Sequence, residues 1–449
     1  MNESITNILT EVPFQGSNAE GEVETLEEFL LEVNQYLRQH IDNEDCDVVS
    51  QLNFEGWTFT DIDFTTDDQV VQLWNLFNWK GAIFYGCTFP CSDAMMQQRG
   101  AIIAPAMEGI PFKVYRSFMY TQHELQQIDT QSYQFFLQDS SLNAKLAQQI
   151  HDHFLQDALF DYLEGKSVVS IMGGHQMTRN SAAYKDVALI AHRLATRGFL
   201  VASGGGPGAM EACNLGAYLY DQKEEEVLDA IQLMIEHQNP SVEFEYKDRD
   251  GPQAVIDKYG PPTYQPSLAI PTYKYGHEPT NMFGTWICKF FCNAIREDGL
   301  LDISNAGIIY TPGSAGTRQE IFQAACGNHY AEAGKEKPTI FYDTGFWNET
   351  GIPQVLRKVS EGRPFSNWIA ELDKVEDIVS KIEAFRDHAG LPFVDREQLQ
   401  SKFWIRPGLL QERDSLHGLT CDKKQRVARR KLRSERARRH SITVSDLMR

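Results

Sequence analysis

The chain has 449 residues, 42% hydrophobic and 23% charged, which is enough apolar material for two domains or for one large α/β domain with additions. No run of about 18 apolar residues occurs and mean hydropathy is −0.39, which excludes a transmembrane helix. Met1 to Glu20 has neither the basic start nor the apolar stretch of a secretory signal, and eight cysteines are too sparse for a disulfide scaffold, so a cytoplasmic protein is expected.

The net charge of −20 is unevenly spread. Residues 1–70 hold 17 Asp or Glu against one base, Arg38, whereas residues 421–449 hold 11 Lys or Arg against Asp422, Glu435 and Asp446. That basic run reads either as a contact for nucleic acid or another acidic ligand, or as a solvated tail resting on an acidic surface of its own chain or a neighbour. The nucleic-acid reading is the weaker one, because the rest of the chain repels polyanions. Three parts are expected: an acidic N-terminal module over 1–150, a nucleotide-binding domain over 151–392, and an extension with a basic tail over 393–449.

Within the first part, Leu26 to Gln39 reads as an acidic helix. Phe54, Phe59 and Phe64, then Trp79, Phe84 and Phe89, recur at intervals of five. Such a recurrence fits a pentapeptide-type β-coil with one inward aromatic per short face, or a pair of hairpins with buried aromatics. Cys87 and Cys91 have no second Cys/His pair nearby, so burial is the expected role. No chemistry is legible in this module.

From about residue 160 short β-rich runs alternate with amphipathic helices. Strands are expected over Ser167 to Met172, Phe199 to Ser203, Ser267 to Ile270, Ala306 to Tyr310 and, closing the series, Pro338 to Tyr342. Helices are expected over Ala182 to Thr196, from the glycine turn through Ala217, over Met282 to Ile295 and Gln319 to Ala325, and near Val355 and Ile378. This rhythm implies an α/β fold, a Rossmann-like parallel sheet with helices on both faces. Residues 221–264 break it and read as an insertion of one helix and a long loop, either a lid or a dimer contact.

Two glycine-rich turns follow strands and precede helices: Gly204-Gly205-Gly206-Pro207-Gly208-Ala209-Met210-Glu211 and Pro312-Gly313-Ser314-Ala315-Gly316-Thr317-Arg318-Gln319-Glu320. Glycine lets the backbone approach a phosphoryl oxygen, and free N–H groups at a helix start stabilise its charge. Neither turn has the spacing of a dinucleotide fingerprint or a P-loop. Thr317 adds a hydroxyl to the second cradle, and Glu320 returns a carboxylate to the same mouth. At the first turn, Glu211 either reads the ligand or complements the helix dipole. His175, Gln176 and Arg179, in the loop after the first strand of the core, reach the same edge. His277 and Glu278 are candidates to face a base, with Asn281 a helix cap. Cys288 and Cys292, four apart on the expected helix, read as core. No His, Cys and carboxylate set has metal-ligand spacing.

The segment PGSAGTRQE resembles the PGGxGTxxE signature of the LOG family, the cytokinin riboside 5'-monophosphate phosphoribohydrolases and bacterial nucleotide 5'-monophosphate nucleosidases, and GGGPGAMEA resembles that family's upstream glycine segment. The resemblance covers roughly residues 165–385. It implies hydrolysis of the N-glycosidic bond of a nucleoside 5'-monophosphate to free base and ribose 5-phosphate, with no metal or cofactor and with self-association into homo-oligomers. It also implies roles: Gly204, Gly205, Gly206, Gly208, Gly313, Ser314, Gly316 and Thr317 around the substrate, with Glu211 and His175 nearby, and Glu320 as the catalytic carboxylate. Arg296, in FCNAIRED, stands nearest to the family's arginine but about one residue farther from Pro312 than the pattern expects, and Ser314 replaces the usual second glycine. A non-catalytic protein that binds a nucleotide or an alarmone is the alternative. Amino-acid decarboxylation lacks a Schiff-base lysine in either turn.

Overall fold

The computed structural model describes residues 54–393, apart from 243–244, 276–278 and 332–333, together with 22–23, 26 and 29–30. The basic run 421–449, His277, Glu278 and most of the helix expected over Leu26 to Gln39 lie outside the described residues. The chain forms two compact units that meet in sequence between Ala106 and Met107.

The first unit is a coil of short parallel strands: β1 (Glu22–Val23), β2 (Thr58–Thr60), β3 (Ile83–Tyr85) and β4 (Ile102–Ala104), in that order. Two short helices interrupt it, α1 (Asp68–Leu73) and α2 (Asp93–Gln98). Thr58 pairs with Ile83 and Phe59 with Phe84, and this same offset stacks the aromatics. Phe54 lies 4.8 Å from Trp79, Phe59 4.8 Å from Phe84 and Phe64 6.3 Å from Phe89, each nearly coplanar with its partner. Parallel pairing selects the coil over the hairpins, since a hairpin joins antiparallel strands. The recurrence of five thus places three rings on each turn, Phe54, Phe59 and Phe64 on one and Trp79, Phe84 and Phe89 on the next, each stacked pair adding about 0.5–1.5 kcal/mol beyond its burial. Cys87 is buried beside this aromatic ladder.

The unit ends well before the boundary expected near 150. Two helices, α3 (Gln122–Gln138) and α4 (Leu142–Leu163), belong instead to the second unit. Their apolar faces explain why: Leu125, Leu155 and Leu159 pack in one core with Met172 and Leu268 of the main sheet.

In chain order the second unit continues with β5 (Val168–Met172), α5 (Ala182–Thr196), β6 (Leu200–Ser203), α6 (Ala209–Tyr218), α7 (Glu224–Glu236), α8 (Asp250–Tyr259), β7 (Ser267–Ala269), β8 (Trp286–Ile287), α9 (Asn293–Ile303), β9 (Gly307–Tyr310), α10 (Ala315–Tyr330), β10 (Thr339–Tyr342), α11 (Thr344–Thr350), α12 (Ile352–Val359), β11 (Ile369–Leu372) and α13 (Val375–Ala389). The seven strands lie in the order β11-β10-β9-β5-β6-β7-β8, all parallel. This is the Rossmann-like α/β sheet. Strands β5, β6, β9 and β10 alternate between two cores: Val169 and Ile171 of β5 pack with α5 and α13, while Val168 and Met172 pack with α4 and α9. Both faces are covered, which is why SVVSIM is uncharged and lacks the polar–apolar alternation of a half-exposed strand.

Three expectations are corrected. The helix expected over Met282 to Ile295 holds β8, and α9 starts only at Asn293. Residues 280–291 are buried on every side, so helical periodicity there has no polar face to confirm it, and Cys288 and Cys292 share no helix face. The sheet does not close at β10. The edge strand β11 follows, with only Ile369 fully buried, too weak a pattern to stand out. The insertion holds two helices, α7 and α8, joined to each other by the packing of their apolar faces.

Candidate active site

The sheet winds outward in both directions from the seam between β5 and β9, so the chain leaves neighbouring carboxyl ends in opposite directions there and opens a crevice, the usual ligand position in such folds. A cavity of about 290 Å³ lies along this edge. Its walls follow the strand order. From the β9 end come Ser314, Gly316, Thr317 and Glu320; from β5, Met172, Gly173, Gly174 and His175; from β6, Gly204, Gly205, Gly206 and Met210; from β7, Pro271, Thr272, Tyr275, Pro279 and Thr280. Helix α9 supplies Arg296, Glu297 and Leu300.

At the β9 end, Ser314 is the N-cap of α10, yet its side chain makes no capping hydrogen bond. The first N–H groups of a helix have no partner within it, so this end offers donors and a positive dipole to an anion. A Cβ at Gly316 would meet open space. Gly313 does not line the cavity; a Cβ there would run into the Thr317 side chain, which folds back over it.

Arg296 lines the cavity. Its Nε donates to Ile270 O at 2.9 Å, its Nη2 to Gly204 O at 3.5 Å, and its Nη1 lies 3.4 Å from Glu320 Oε1. Both partners of the pair are nearly buried. Burial pushes the Glu320 carboxyl above its ordinary value; the Arg296 guanidinium pulls it back, and the nearby Glu297 carboxylate adds to the rise. Glu297 itself accepts from Asn293 Nδ2 at 2.6 Å and from Gln319 Nε2 at 2.9 Å. Sequence reading missed it, although it adjoins Arg296.

Helix α9 is aimed by a buried relay. Asp152 of α4 accepts from the backbone N–H groups of Phe291 and Cys292 at 3.0 and 2.7 Å, fixing the two residues that lead into α9. His151 Nδ1 lies 2.9 Å from Asp152 Oδ1 and its Nε2 2.7 Å from the Tyr120 hydroxyl. Burial holds His151 below its ordinary value. A neutral ring that donates to Asp152 accepts from Tyr120.

The first glycine turn is used differently from expectation. Gly208 and Glu211 do not line the cavity. Gly208 has φ +67°, and a Cβ there would sit 2.6 Å from Gly174 O and His175 O; its bareness lets two loops meet. Glu211 is taken by Arg179, with Nε–Oε1 at 2.8 Å and Nη2–Oε2 at 3.0 Å, and by the Tyr184 hydroxyl at 2.7 Å. Arg179 also reaches Asp248 at 2.5 Å, and its backbone N–H donates to Glu245 at 2.8 Å. Arg179 therefore ties the insertion to α6 and does not line the cavity.

In the segment after β7 the sequence reading named His277 and Glu278 and gave Thr280 no role. Thr280 Oγ1 lies 3.4 Å from Lys289 Nζ, and Lys289 pairs with Asp129 of α3 at 2.6 Å. Arg249 of the insertion donates to Thr280 O at 2.7 Å. Asn281 is no helix cap: its Nδ2 donates to Gly206 O and to Asn214 Oδ1, at 3.1 and 2.8 Å, binding this loop to the first glycine turn. Partners 160 residues apart, as Lys289 and Asp129 are, leave no signal in local spacing.

Comparison with models of known protein families gives no match, and comparison with curated proteins gives none either. Among the described residues, no helix is long and apolar enough to cross a membrane.

Proposed function

We propose that the protein is a LOG-type phosphoribohydrolase, which cleaves the N-glycosidic bond of a nucleoside 5'-monophosphate to free base and ribose 5-phosphate. The observation that carries this reading is the buried Arg296–Glu320 pair standing in the same cavity as the uncapped start of α10. The phosphate lies against Ser314, Gly316 and Thr317, the ribose against Glu320, and the base toward β7.

As the C1'–N bond breaks, positive charge develops on the sugar ring, and a carboxylate beside it lowers that barrier. Water adds its oxygen to C1'. Glu320 takes the water proton, and the proton finishes on the departing base nitrogen. A carboxyl raised above its ordinary value suits both steps, since it accepts a proton more readily and can return it. Arg296 holds the carboxylate in place and favours its charged form.

Purified protein incubated with AMP, GMP, IMP, CMP and UMP is expected to release free base, read by chromatography. The Glu320→Ala variant is expected to lose about 10²–10⁴-fold in kcat while still binding ribose 5-phosphate. Undiminished turnover in that variant removes Glu320 from the mechanism. Binding of nucleotides by the parent protein with no base release leaves a nucleotide-binding role in place of the enzyme.

A further inference from the structure

The half of the cavity away from α10 is walled by the loops after β5, β6 and β7, and hydrogen bonds join these loops into a closed ring. The β5 loop meets the β6 turn where Gly174 O accepts from the backbone N–H of Ala209 at 3.2 Å. The β6 turn meets the β7 loop where Gly205 O accepts from the backbone N–H of Asn281 at 2.9 Å. Both links join neighbours in the sheet. The two outer loops have β6 between them, so at about 4.8 Å per strand they start about 10 Å apart. No direct hydrogen bond spans that distance.

The insertion closes the ring. Glu245 accepts from the backbone N–H of Arg179 at 2.8 Å and Asp248 from Arg179 Nη1 at 2.5 Å, which fastens this segment to the β5 loop. One residue on, Arg249 Nη1 donates to Thr280 O at 2.7 Å, which fastens it to the β7 loop. Asp248 is fixed from behind, accepting from the backbone N–H groups of Asn239, Asp250 and Gly251 at 3.0, 3.2 and 3.2 Å. Arg249 has no second hold: among the described residues no carboxylate pairs with its guanidinium, and Thr280 O is the acceptor it meets. A charged donor makes that bond a strong one. Thr280 lines the cavity and Arg249 does not.

We infer that residues 245–249 form a strap that sets the gap between the β5 and β7 walls, with Arg249 the positioning residue through which it acts on the base of a bound nucleotide. The strap works through Thr280 and without touching the guest. Releasing Arg249 lets the β7 wall move, while the α10 end, where the phosphate lies, keeps its own contacts. Coupling of this kind is reciprocal. A guest that fills the base half holds the walls at their distance and so steadies the strap. The inference rests on the nucleoside monophosphate reading above and gives the insertion a part in it.

The test is calorimetric titration of AMP, GMP, CMP and UMP into the full chain carrying Glu320→Gln, so that no nucleotide is consumed, with ribose 5-phosphate as the probe that lacks a base. Adding Arg249→Met, which keeps the apolar stem and removes the donors, is expected to weaken the tightest-bound nucleotide about tenfold and ribose 5-phosphate less than about twofold. Amide hydrogen exchange within residues 245–251 is expected to slow when that nucleotide is bound and to stay level with ribose 5-phosphate. Equal weakening of both ligands, no weakening of either, exchange indifferent to the nucleotide, or no binding of any nucleotide overturns the inference. Failure of the hydrolase reading looks different: the split in affinity and the slowed exchange, with no base released by the parent protein, reject hydrolysis and keep the strap. Base release by the parent protein with equal weakening of both ligands does the reverse.

Discussion

The turns after β6 and β9 both read as glycine-rich cradles, but a methyl group meets walls at Gly204, Gly208 and Gly313 and open space only at Gly316. A Cβ at Gly204 would collide with Arg296 Nη2 and approach Met210 Sδ to 2.7 Å, and one at Gly208 would press on backbone carbonyls. At Gly316 nothing stands within 4 Å. Glycine in the first turn makes room for the protein's own groups. In the second, Gly313 makes room for Thr317, and Gly316 alone leaves room for something else. Bareness of backbone is thus no evidence of a phosphate by itself; what decides is whether the vacated volume is already filled.

Substitutions that add a methyl group to each turn, or remove a charge beside it, sharpen this contrast. The largest effect on activity is expected at Gly204→Ala. The atoms it strikes are the ends of flexible side chains, so the fold survives, but Arg296 is pushed from Glu320 and kcat/KM for base release falls about 100-fold, as for other misplacements near 1 Å. Next comes Arg179→Met, which leaves Glu211 and Asp248 without their cation and should lower unfolding free energy by about 3–5 kcal/mol in urea titrations. If stability stays level there, Glu211 is not the structural anchor its hydrogen bonds make it. Glu297→Gln acts on proton affinity: removing a negative charge lets the Glu320 carboxyl fall back toward its ordinary value, so the acid limb of kcat/KM against pH moves to lower pH. A limb that stays put, or moves up, contradicts the assignment of Glu320 as that group. The smallest effect is expected at Gly316→Ala, which gains about 0.5–1 kcal/mol of helix stability while weakening ribose 5-phosphate binding.

What could be read in advance follows the range over which the physics acts. Strands β5, β6 and β9 were legible because burial on both faces writes itself into consecutive residues. The aromatic ladder was legible as a recurrence, though only the parallel pairing of Phe59 with Phe84 chose between coil and hairpin. Glu320 and Thr317 follow a glycine turn within one helical turn or two, and the cavity holds both. By contrast Arg179 stood as a candidate to touch a ligand, and Glu211 as either a ligand reader or a complement to the helix dipole, since a sequence carries no sign that two opposite charges have found one another. The domain boundary slipped for the same reason: α3 and α4 join the second unit through packing with residues far along the chain. Thr280 stayed silent because its neighbour Lys289 is polarised by Asp129, a residue of another helix.

The guanidinium of Arg296 is bound to the carbonyls that follow β6 and β7. Its freedom of rotation, worth up to about 2 kcal/mol for so long a side chain, was surrendered once, during folding. An incoming molecule therefore finds a cation that need not swing into position, and the affinity it gains there is not diminished by freezing a moving arm.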